Sequence, residues 1–258
     1  VPGHHLDEIQ NAQMETDDAL RRLYRKGSVS FSGTQDVRAS LKRLEIGGSL
    51  NIMELLKVCS LLETAGRVKR YARSAETEEE LEDSLDPLFS ALEPCSPLST
   101  EIRRCILSED EISDDASPGL RQVRKGIQTA NGRIHSTLSG MINGSSRSYL
   151  QDAVITQRNG RYCVPVRAEY RSQVPGMIHD QSSTGSTLFV GPIAVVKLNN
   201  DLKELYLKEQ EEIEHVLEHL SEEAASSTEA ILQNYELLTE LDFIFAKAAL
   251  AKEMKASR

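Results

Sequence analysis

The chain has 258 residues, with 30 basic and 40 acidic side chains and a formal net charge of −10 at pH 7. An apolar fraction of 39% is enough to form a buried core, which excludes a disordered chain, and the length suits one large domain or two ordinary ones. Aromatic residues make up 5%, without tryptophan, which favours a helix-rich fold over a sandwich or barrel. The acidity excludes a protein coated by nucleic acid but allows one local basic contact.

Cellular context is indicated by simple features of the sequence. No apolar run approaches the roughly 20 residues of a membrane span and no signal peptide opens the chain, so we expect no membrane partner and a cytoplasmic location. The first residue is Val1 rather than Met, from which we expect a fragment or a processed chain. The widely spaced cysteines form no CxxC pair, which favours isolated thiols in a reducing compartment: Cys59, Cys95, Cys105 and Cys163.

Three helices are predicted in the first quarter of the chain. The first covers residues 4–26 and ends at Gly27, which suits a C-cap. The second runs from about residue 35 to 45 and stops at Gly47 and Gly48. The third follows Ser49 as a predicted N-cap, and its apolar residues recur at spacings of three and four up to Val68.

The next stretch is rich in acids and then in proline. Seven acids lie between Glu76 and Asp86. Like charges spaced by four residues normally point into water, so we favour a solvated helix face over a metal site. The following stretch is expected to break into short helices at Pro87, Pro94 and Pro97.

Two long helices are predicted in the second half. Ser117 followed by Pro118 is a strong helix start. The apolar seam behind it is Leu120, Val123, Ile127, Ala130, Ile134, Leu138 and Met141. From about residue 194 to 256 the chain has almost no glycine or proline, with a bend expected between residues 221 and 230. A stripe this long needs a second long helix beside it, and residues 117–143 supply one.

A β-rich element is predicted between these helices, in residues 150–192. The dipeptide Asn159-Gly160 is the strongest short hairpin signal, and Pro165 predicts that the strand after it lies at an edge. We expect further turns at Pro175-Gly176 and Thr184-Gly185, with short strands at MIHDQ and STLFV.

Known catalytic motifs are absent from the sequence. It contains no GxxxxGK followed by Ser or Thr, no HExxH, no GxSxG and no GxGxxG. His179, Asp180, Ser182 and Ser183 suggest a triad, but neighbours on a strand alternate faces and do not converge. We therefore expect His179 and Asp180 to form hydrogen bonds within the β element.

A cationic cluster is the strongest functional signal. Residues 158–171 contain four arginines and one acid, whereas residues 201–223 contain nine acids and two lysines. Arginine favours bidentate phosphate contacts, so the cluster suggests local polyanion binding; the alternative is that the arginines pair with the acidic helix. Arg161 and Arg167 would share one face of a regular strand. The candidate nucleic-acid-binding residues are Arg158, Arg161, Arg167, Arg171, His179 and Gln181.

Four collinear stretches carry a family resemblance. They are ETDDAL at 15–20, DDASPGLRQVR at 114–124, RNGRYCVPVRAEYRSQVPGMIHDQSSTGSTLFVGP at 158–192 and LTELDFIFAKAALA at 238–251. Together they resemble bacterial MutS homologues of the second type over nearly the whole chain. One departure is visible, because the family usually has Phe-Ile-Glu-Pro where this chain has Phe189-Val190-Gly191-Pro192, so any role of that glutamate is lost or moved.

The resemblance implies a mainly α segment in which long antiparallel lever helices carry a small β-rich clamp. Residues 1–112 would form the helical core, 113–150 and 193–258 the levers, and 151–192 the clamp. It also implies that the ATPase domain, which forms a homodimer, and the C-terminal Smr nuclease domain lie outside this segment. ATP and Mg²⁺ are therefore expected only there, with no cofactor and no enzymatic activity in this segment.

The resemblance leaves several functions open. Members of the family bind branched DNA and suppress homologous recombination, and they bind ribosomes and split stalled, collided ones, so DNA or ribosomal RNA is the expected partner. The acidic helices and apolar seams favour an alternative, a mechanical or protein-interaction module without nucleic-acid contact. A third alternative is that the segment is inert unless two ATPase domains hold it in a dimer.

Overall fold

A computed structural model describes residues 6–73 and 83–255. Its α-helices are α1 (Leu6–Lys26), α2 (Arg38–Glu45), α3 (Ile52–Arg73), α4 (Asp86–Ser90), α5 (Ser96–Cys105), α6 (Pro118–Asn143), α7 (Ile193–Ala225) and α8 (Thr228–Met254). Its strands are β1 (Ile106–Ser108), β2 (Glu111–Ile112), β3 (Thr156–Arg158), β4 (Arg161–Arg167), β5 (Gly176–Gln181) and β6 (Thr187–Pro192). The predicted mainly α class is confirmed.

The chain divides into two compact units. The helical unit contains the described residues up to Ser113 and from Val216 onward, and the mixed unit contains residues 114–215. The boundary therefore falls within α7, and α8 belongs to the helical unit. This division differs from the predicted one, which grouped residues 193–258 together as a lever.

Glycine and a capping box set the helix boundaries in the helical unit. Gly27 and Gly47 adopt φ of +77° and +78°, so both predicted helix ends are confirmed. The prediction that Ser49 caps α3 is wrong. Asn51 accepts a 2.9 Å hydrogen bond from the N–H of Glu54, and the Glu54 carboxylate accepts one of 3.0 Å from the N–H of Asn51. This reciprocal pair satisfies two N–H groups, which a serine two residues earlier does not reach.

Helix α8 contacts α1, α2, α3 and α4 within the helical unit. An aromatic cluster joins these elements, since the Phe245 ring lies 6.0 Å from that of Tyr71 and 6.2 Å from that of Phe89. Asn234 of α8 is fully buried and bonds both backbone groups of Glu93. Helix α8 is therefore part of this unit's core.

A buried arginine links α1 to the start of α4. The guanidinium of Arg22 is 1% exposed and donates to both carboxylate oxygens of Asp83 at 2.6 and 2.7 Å and to Asp86 at 2.8 Å. Asp18 accepts the N–H and the hydroxyl of Ser84. The other acids of the predicted acidic helix face, residues 76–82, lie outside the described residues.

Proline begins the two short helices, as predicted. Pro87 and Pro97 lie in the first turns of α4 and α5, where a missing N–H removes no intrahelical bond. Sequence analysis missed the small β1–β2 hairpin that follows, in which Ile106 pairs with Ile112.

In the mixed unit, α6 and the first part of α7 lie side by side and antiparallel. Ser117 caps α6 by accepting the N–H of Leu120 at 2.9 Å, as predicted, and its hydroxyl donates to Glu212. Arg124 pairs with Glu209 at 2.8 Å. The predicted seam of α6 is buried or half-buried throughout.

Four antiparallel strands form the sheet of the mixed unit, in the order β3-β4-β6-β5. The Asn159-Gly160 hairpin is confirmed, and both residues adopt positive φ, as a type I′ turn requires. The prediction of an edge strand at Pro165 is wrong, because β4 pairs with β3 and also with β6. The two ladders are offset: β3 pairs with residues 161–163 and β6 with residues 164–167, so Pro165 has no β3 partner to bond.

The remaining turn predictions have mixed outcomes. A turn forms at Thr184-Gly185, where the N–H of Gly185 donates to Ser182 at 2.8 Å. No turn forms at Pro175-Gly176, because Gly176 already belongs to β5 and pairs with Pro192. The bend expected between residues 221 and 230 is confirmed as the break between α7 and α8. Across residues 6–73 and 83–255, none of the helices has both the length and the apolar character of a membrane span.

Candidate nucleic-acid interface

The β element that carries the candidate residues shares one hydrophobic core with α6 and α7. Val164 and Val166 of β4 and Val190 of β6 are fully buried, and they pack with Ile134 of α6 and Val195 of α7. The sheet is thus held by both helices, and the positions of its polar side chains are fixed by this packing.

Asn199 of α7 holds the start of β4. Its side chain donates a 2.9 Å bond to the carbonyl of Tyr162 and accepts a 2.9 Å bond from the N–H of the same residue. The β6 ladder begins only at Val164, so the amide replaces a missing strand partner at Tyr162. His135 of α6 adds an edge-on ring contact to Tyr162 at 5.0 Å.

Arg158 is engaged by the sheet itself. Its guanidinium lies 3.9 Å from the centre of the Phe189 ring and 3.4 Å from the Asp180 carboxylate. It also donates to the carbonyl of Gln157 at 2.8 Å. Next to it, the Asn159 amide donates to the carbonyl of His179 at 3.1 Å. These contacts attach the β3–β4 hairpin to β5 and β6, so Arg158 has a structural role.

Arg171 and Arg167 bond backbone carbonyls. Arg171 donates to the carbonyls of Val174 and Gly176 at 2.9 and 2.7 Å, which closes the loop before β5. Arg167 donates to the carbonyl of Leu150 at 3.2 Å and lies 5.8 Å from the Tyr170 ring centre. Both arginines therefore stabilise loops next to the sheet.

Arg161 is the least engaged of the four arginines. Among the described residues, its one side-chain hydrogen bond is a long 3.4 Å bond to the side-chain oxygen of Asn200, and the residue is half-buried. In the described part of the chain, no carboxylate lies within 4.0 Å of Arg161, Arg167 or Arg171. Of the four arginines, Arg158 alone forms an ion pair among the described residues, and its partner Asp180 belongs to β5. The alternative prediction, that the arginines pair with the acidic helix, is therefore wrong.

Burial along β4 does not alternate between faces. Four consecutive residues, 163–166, are buried, because α6, α7 and the loop at Leu150 all cover this strand. Arg161 then reaches toward α7 and Arg167 toward Leu150. The prediction that Arg161 and Arg167 share one face assumed a regular strand. In the structure, Arg161 contacts α7 and Arg167 contacts the loop at Leu150.

His179 lies at a β-bulge and covers Gly191. The register between β5 and β6 shifts between Ile178 and Asp180. A Cβ atom on Gly191 would lie 2.3 Å from His179 Nε2, so any larger residue here requires the imidazole ring to move. Nε2 is buried and has no hydrogen-bond partner among the described residues. Burial, with a smaller effect of the nearby Arg161, lowers the pKa of His179 and favours the neutral ring.

The other polar residues of β5 and its loop form local contacts. The Asp180 carboxylate pairs with Arg158 and accepts the N–H of Gln181, and the Ser182 hydroxyl accepts the N–H of Thr187. Among the described residues, no hydrogen bond joins His179 to Asp180 or Ser182. Asp180 forms contacts within the β element, as expected, whereas His179 Nε2 does not form the hydrogen bond expected of it. The side chain of Gln181 is exposed. In residues 6–73 and 83–255, no group of three or more His, Cys, Asp or Glu side chains could hold a metal ion.

Comparison with curated proteins gives the family. The chain is 60% identical over 252 residues to the protein named Endonuclease MutS2 of Agathobacter rectalis, which covers 97% of this chain and 32% of the relative. It is 53% identical over 263 residues to the Endonuclease MutS2 of Lachnoclostridium phytofermentans and 41% identical over 258 residues to that of a Geobacillus species. Those two alignments cover all of this chain and 33% of each relative. The chain belongs to the MutS2 family.

The chain spans about a third of the length of these MutS2 relatives, and no protein-family model matches it. Two residues that organise the interface, Asn199 and Asn200, were missed by sequence analysis. The signal that could have found them is weak: adjacent asparagines in the first turns of a long helix, where better helix formers are usual.

Proposed function

We propose that this segment is the nucleic-acid-clamping and lever region of a MutS-like ATP-dependent dimer, with the mixed unit in contact with phosphate groups. In the full-length protein it would act on branched DNA to suppress recombination, or on stalled, collided ribosomes. ATP hydrolysis with Mg²⁺, dimerisation and the nuclease reaction that the relatives are named for would belong to the rest of the chain. We place this activity in the cytoplasm.

The observation that carries the proposal is the state of Arg161. A guanidinium without a carboxylate partner keeps its charge available to an external anion, and arginine binds phosphate in bidentate geometry. Arg158 and Arg171 are already engaged within the protein, so we narrow the candidate site to Arg161, with Arg167 beside the sheet. Membership of the MutS2 family supports a nucleic-acid partner for the whole protein.

The test is salt-dependent binding of the 258-residue chain to a four-way DNA junction and to ribosomal RNA. Arg161→Glu should weaken binding about tenfold, because it replaces a phosphate-binding charge by a repulsive one. The matched control is Arg121→Glu, which changes the net charge equally at an exposed position that already pairs with Asp115. Absence of salt-sensitive binding by the unmodified chain, or equal losses in the two variants, would refute the proposal.

A second function has its own supporting observation. Helix α8 leaves Phe243, Leu250 and Met254 exposed at 66%, 56% and 69%, at spacings that place them on one helix face. Exposed apolar side chains in a row are typical of a protein-binding surface. If the segment is a protein-interaction module instead, its association with partners will survive nuclease treatment, whereas binding through DNA or RNA will be lost.

A further inference from the structure

The charge of α7 is divided along its length. Its first eleven residues, 193–203, contain two lysines and one acid, whereas eight of the next twenty residues are acids. The acids that follow are partly occupied, since Glu209 pairs with Arg124 and Glu212 accepts the Ser117 hydroxyl. The amino-terminal part of α7 is therefore a basic surface, in contrast to the acidic part that follows it.

The lysines of this basic surface flank the residue that Arg161 contacts. Arg161 donates to Asn200, and Lys197 and Lys203 are three residues before and after it. Residues three apart are neighbours on a helix surface, so the two lysines flank Asn200 on the surface of α7. Both lysines are exposed, as is Asn200. Three cations from β4 and α7 are thus gathered around one amide side chain.

These cations are not neutralised by the protein. Throughout residues 6–73 and 83–255, neither lysine has a carboxylate within 4.0 Å, and the same holds for Arg161. In the sequence of α7, the nearest acids are Asp201, which lines a groove between α6 and α7 that the three cations do not line, and the exposed Glu204. Arg121 and Arg124 of the same unit, in contrast, pair with Asp115 and Glu209. Among the described residues, Lys125 and Lys208 also form no ion pair, so Lys197 and Lys203 differ from them by their position next to Asn200 and Arg161.

The spacing of the two lysines suits a repeating anion. Six residues of α-helix rise about 9 Å along the axis and turn by about 240°, so Lys197 and Lys203 lie about 120° apart around α7, with Asn200 between them. The side-chain amide of Asn200 adds a donor and an acceptor between them. Cations that are separated along and around the helix contact different phosphates. They therefore fit a phosphodiester backbone better than a single phosphate.

We infer that Lys197 and Lys203, together with Arg161, form a phosphodiester-binding surface at the start of α7. This inference rests on the proposed function and deepens it, because it adds two α7 residues to the interface and makes the β element only one side of it. The shared ligand chemistry is the sugar-phosphate backbone, whether it comes from DNA or RNA.

The experiment compares two matched charge-removal variants of the 258-residue chain. Lys197→Gln with Lys203→Gln removes the two lysines of the proposed surface. Lys125→Gln with Lys208→Gln removes two exposed lysines that line the other groove of the same helix pair. Binding is measured to DNA and RNA four-way junctions of one sequence between about 50 and 200 mM salt.

The proposed surface predicts a change in salt dependence. The Lys197 and Lys203 variant should lower the slope of log affinity against log salt by about two, and weaken binding about tenfold at low salt, whereas the control should keep the slope. Replacing both lysines by arginine should preserve binding. A preference for one junction identifies the source of the phosphodiester.

Two negative outcomes are distinguishable. Equal changes in slope for the two glutamine variants would overturn this inference alone, because they would indicate long-range attraction without a local contact. Failure of the unmodified chain to bind either junction would overturn the proposed function, and the inference with it.

Discussion

Replacing Asn199 by alanine should weaken the attachment of β4 to α7. The Asn199 side chain is 2% exposed and makes two 2.9 Å hydrogen bonds to the backbone of Tyr162. A neutral hydrogen bond contributes about 1 kcal/mol, and a buried group left unpaired raises the loss to about 1–3 kcal/mol. For two bonds we therefore expect the free energy of unfolding of the mixed unit to fall by about 2–4 kcal/mol.

The neighbouring residue provides a matched control. Asn200→Ala makes the same change in helix propensity at an exposed position. Among the described residues, the Asn200 side chain forms one hydrogen bond, the 3.4 Å bond from Arg161. Urea unfolding gives the stabilities, and amide hydrogen exchange in residues 156–167 reports the loss locally. Equal stabilities of the two variants within about 0.5 kcal/mol, with the Tyr162 amide protected in both, would refute the role we give to Asn199.

Four further outcomes are expected from buried groups. Arg22→Ala should lower the free energy of unfolding of the helical unit, measured in urea, by about 3–5 kcal/mol, because it leaves the Asp83 carboxylate buried without its partner. The exposed Arg21→Ala is the control, and a smaller loss for Arg22→Ala than for this control would contradict the role of the buried ion pair. Gly191→Ala should lower the free energy of unfolding of the mixed unit by about 1–3 kcal/mol, because the new methyl group contacts the His179 ring. Adding His179→Ala to this variant should restore most of the lost stability. If the two stability changes simply add in this double-mutant cycle, the two residues do not clash. Burial raises the pKa of Cys59 to about 12 and those of Cys105 and Cys163 to about 11. At pH 8 these three thiols should therefore react with iodoacetamide more slowly than the half-buried Cys95, and mass spectrometry measures the difference in rate. Because the same thiols ionise near pH 9 in the unfolded chain, stability should fall as pH rises above that value, and a stability that stayed level to pH 11 would contradict their burial.

Local signals predicted the helices and turns whose cause is local. Ser117 caps α6, Gly27 ends α1 and Asn159-Gly160 forms a hairpin, since each depends on a few neighbouring residues. The errors arose where a distant element decides the outcome. Pro165 lies in a strand paired on both sides because β3 and β6 pair with different parts of β4, and no pattern within one strand encodes that offset.

The four arginines illustrate the same limit at the candidate site. Their sequence spacing is that of one cationic cluster, but the structure engages Arg171 with two loop carbonyls and Arg158 with Phe189 and Asp180. Which arginine keeps its charge available depends on which carbonyls and carboxylates the fold leaves nearby, and that is a property of tertiary structure. The basic start of α7, in contrast, is visible in the sequence once the helix is divided at Lys203 instead of at Asp201.

The departure at Gly191 acquires a physical meaning from the bulge opposite it. The resemblance implies a glutamate at the position of Gly191, whose missing side chain leaves the space that the His179 ring occupies. A glutamate at this position would have to displace that ring, whose Nε2 has no hydrogen-bond partner in the described chain.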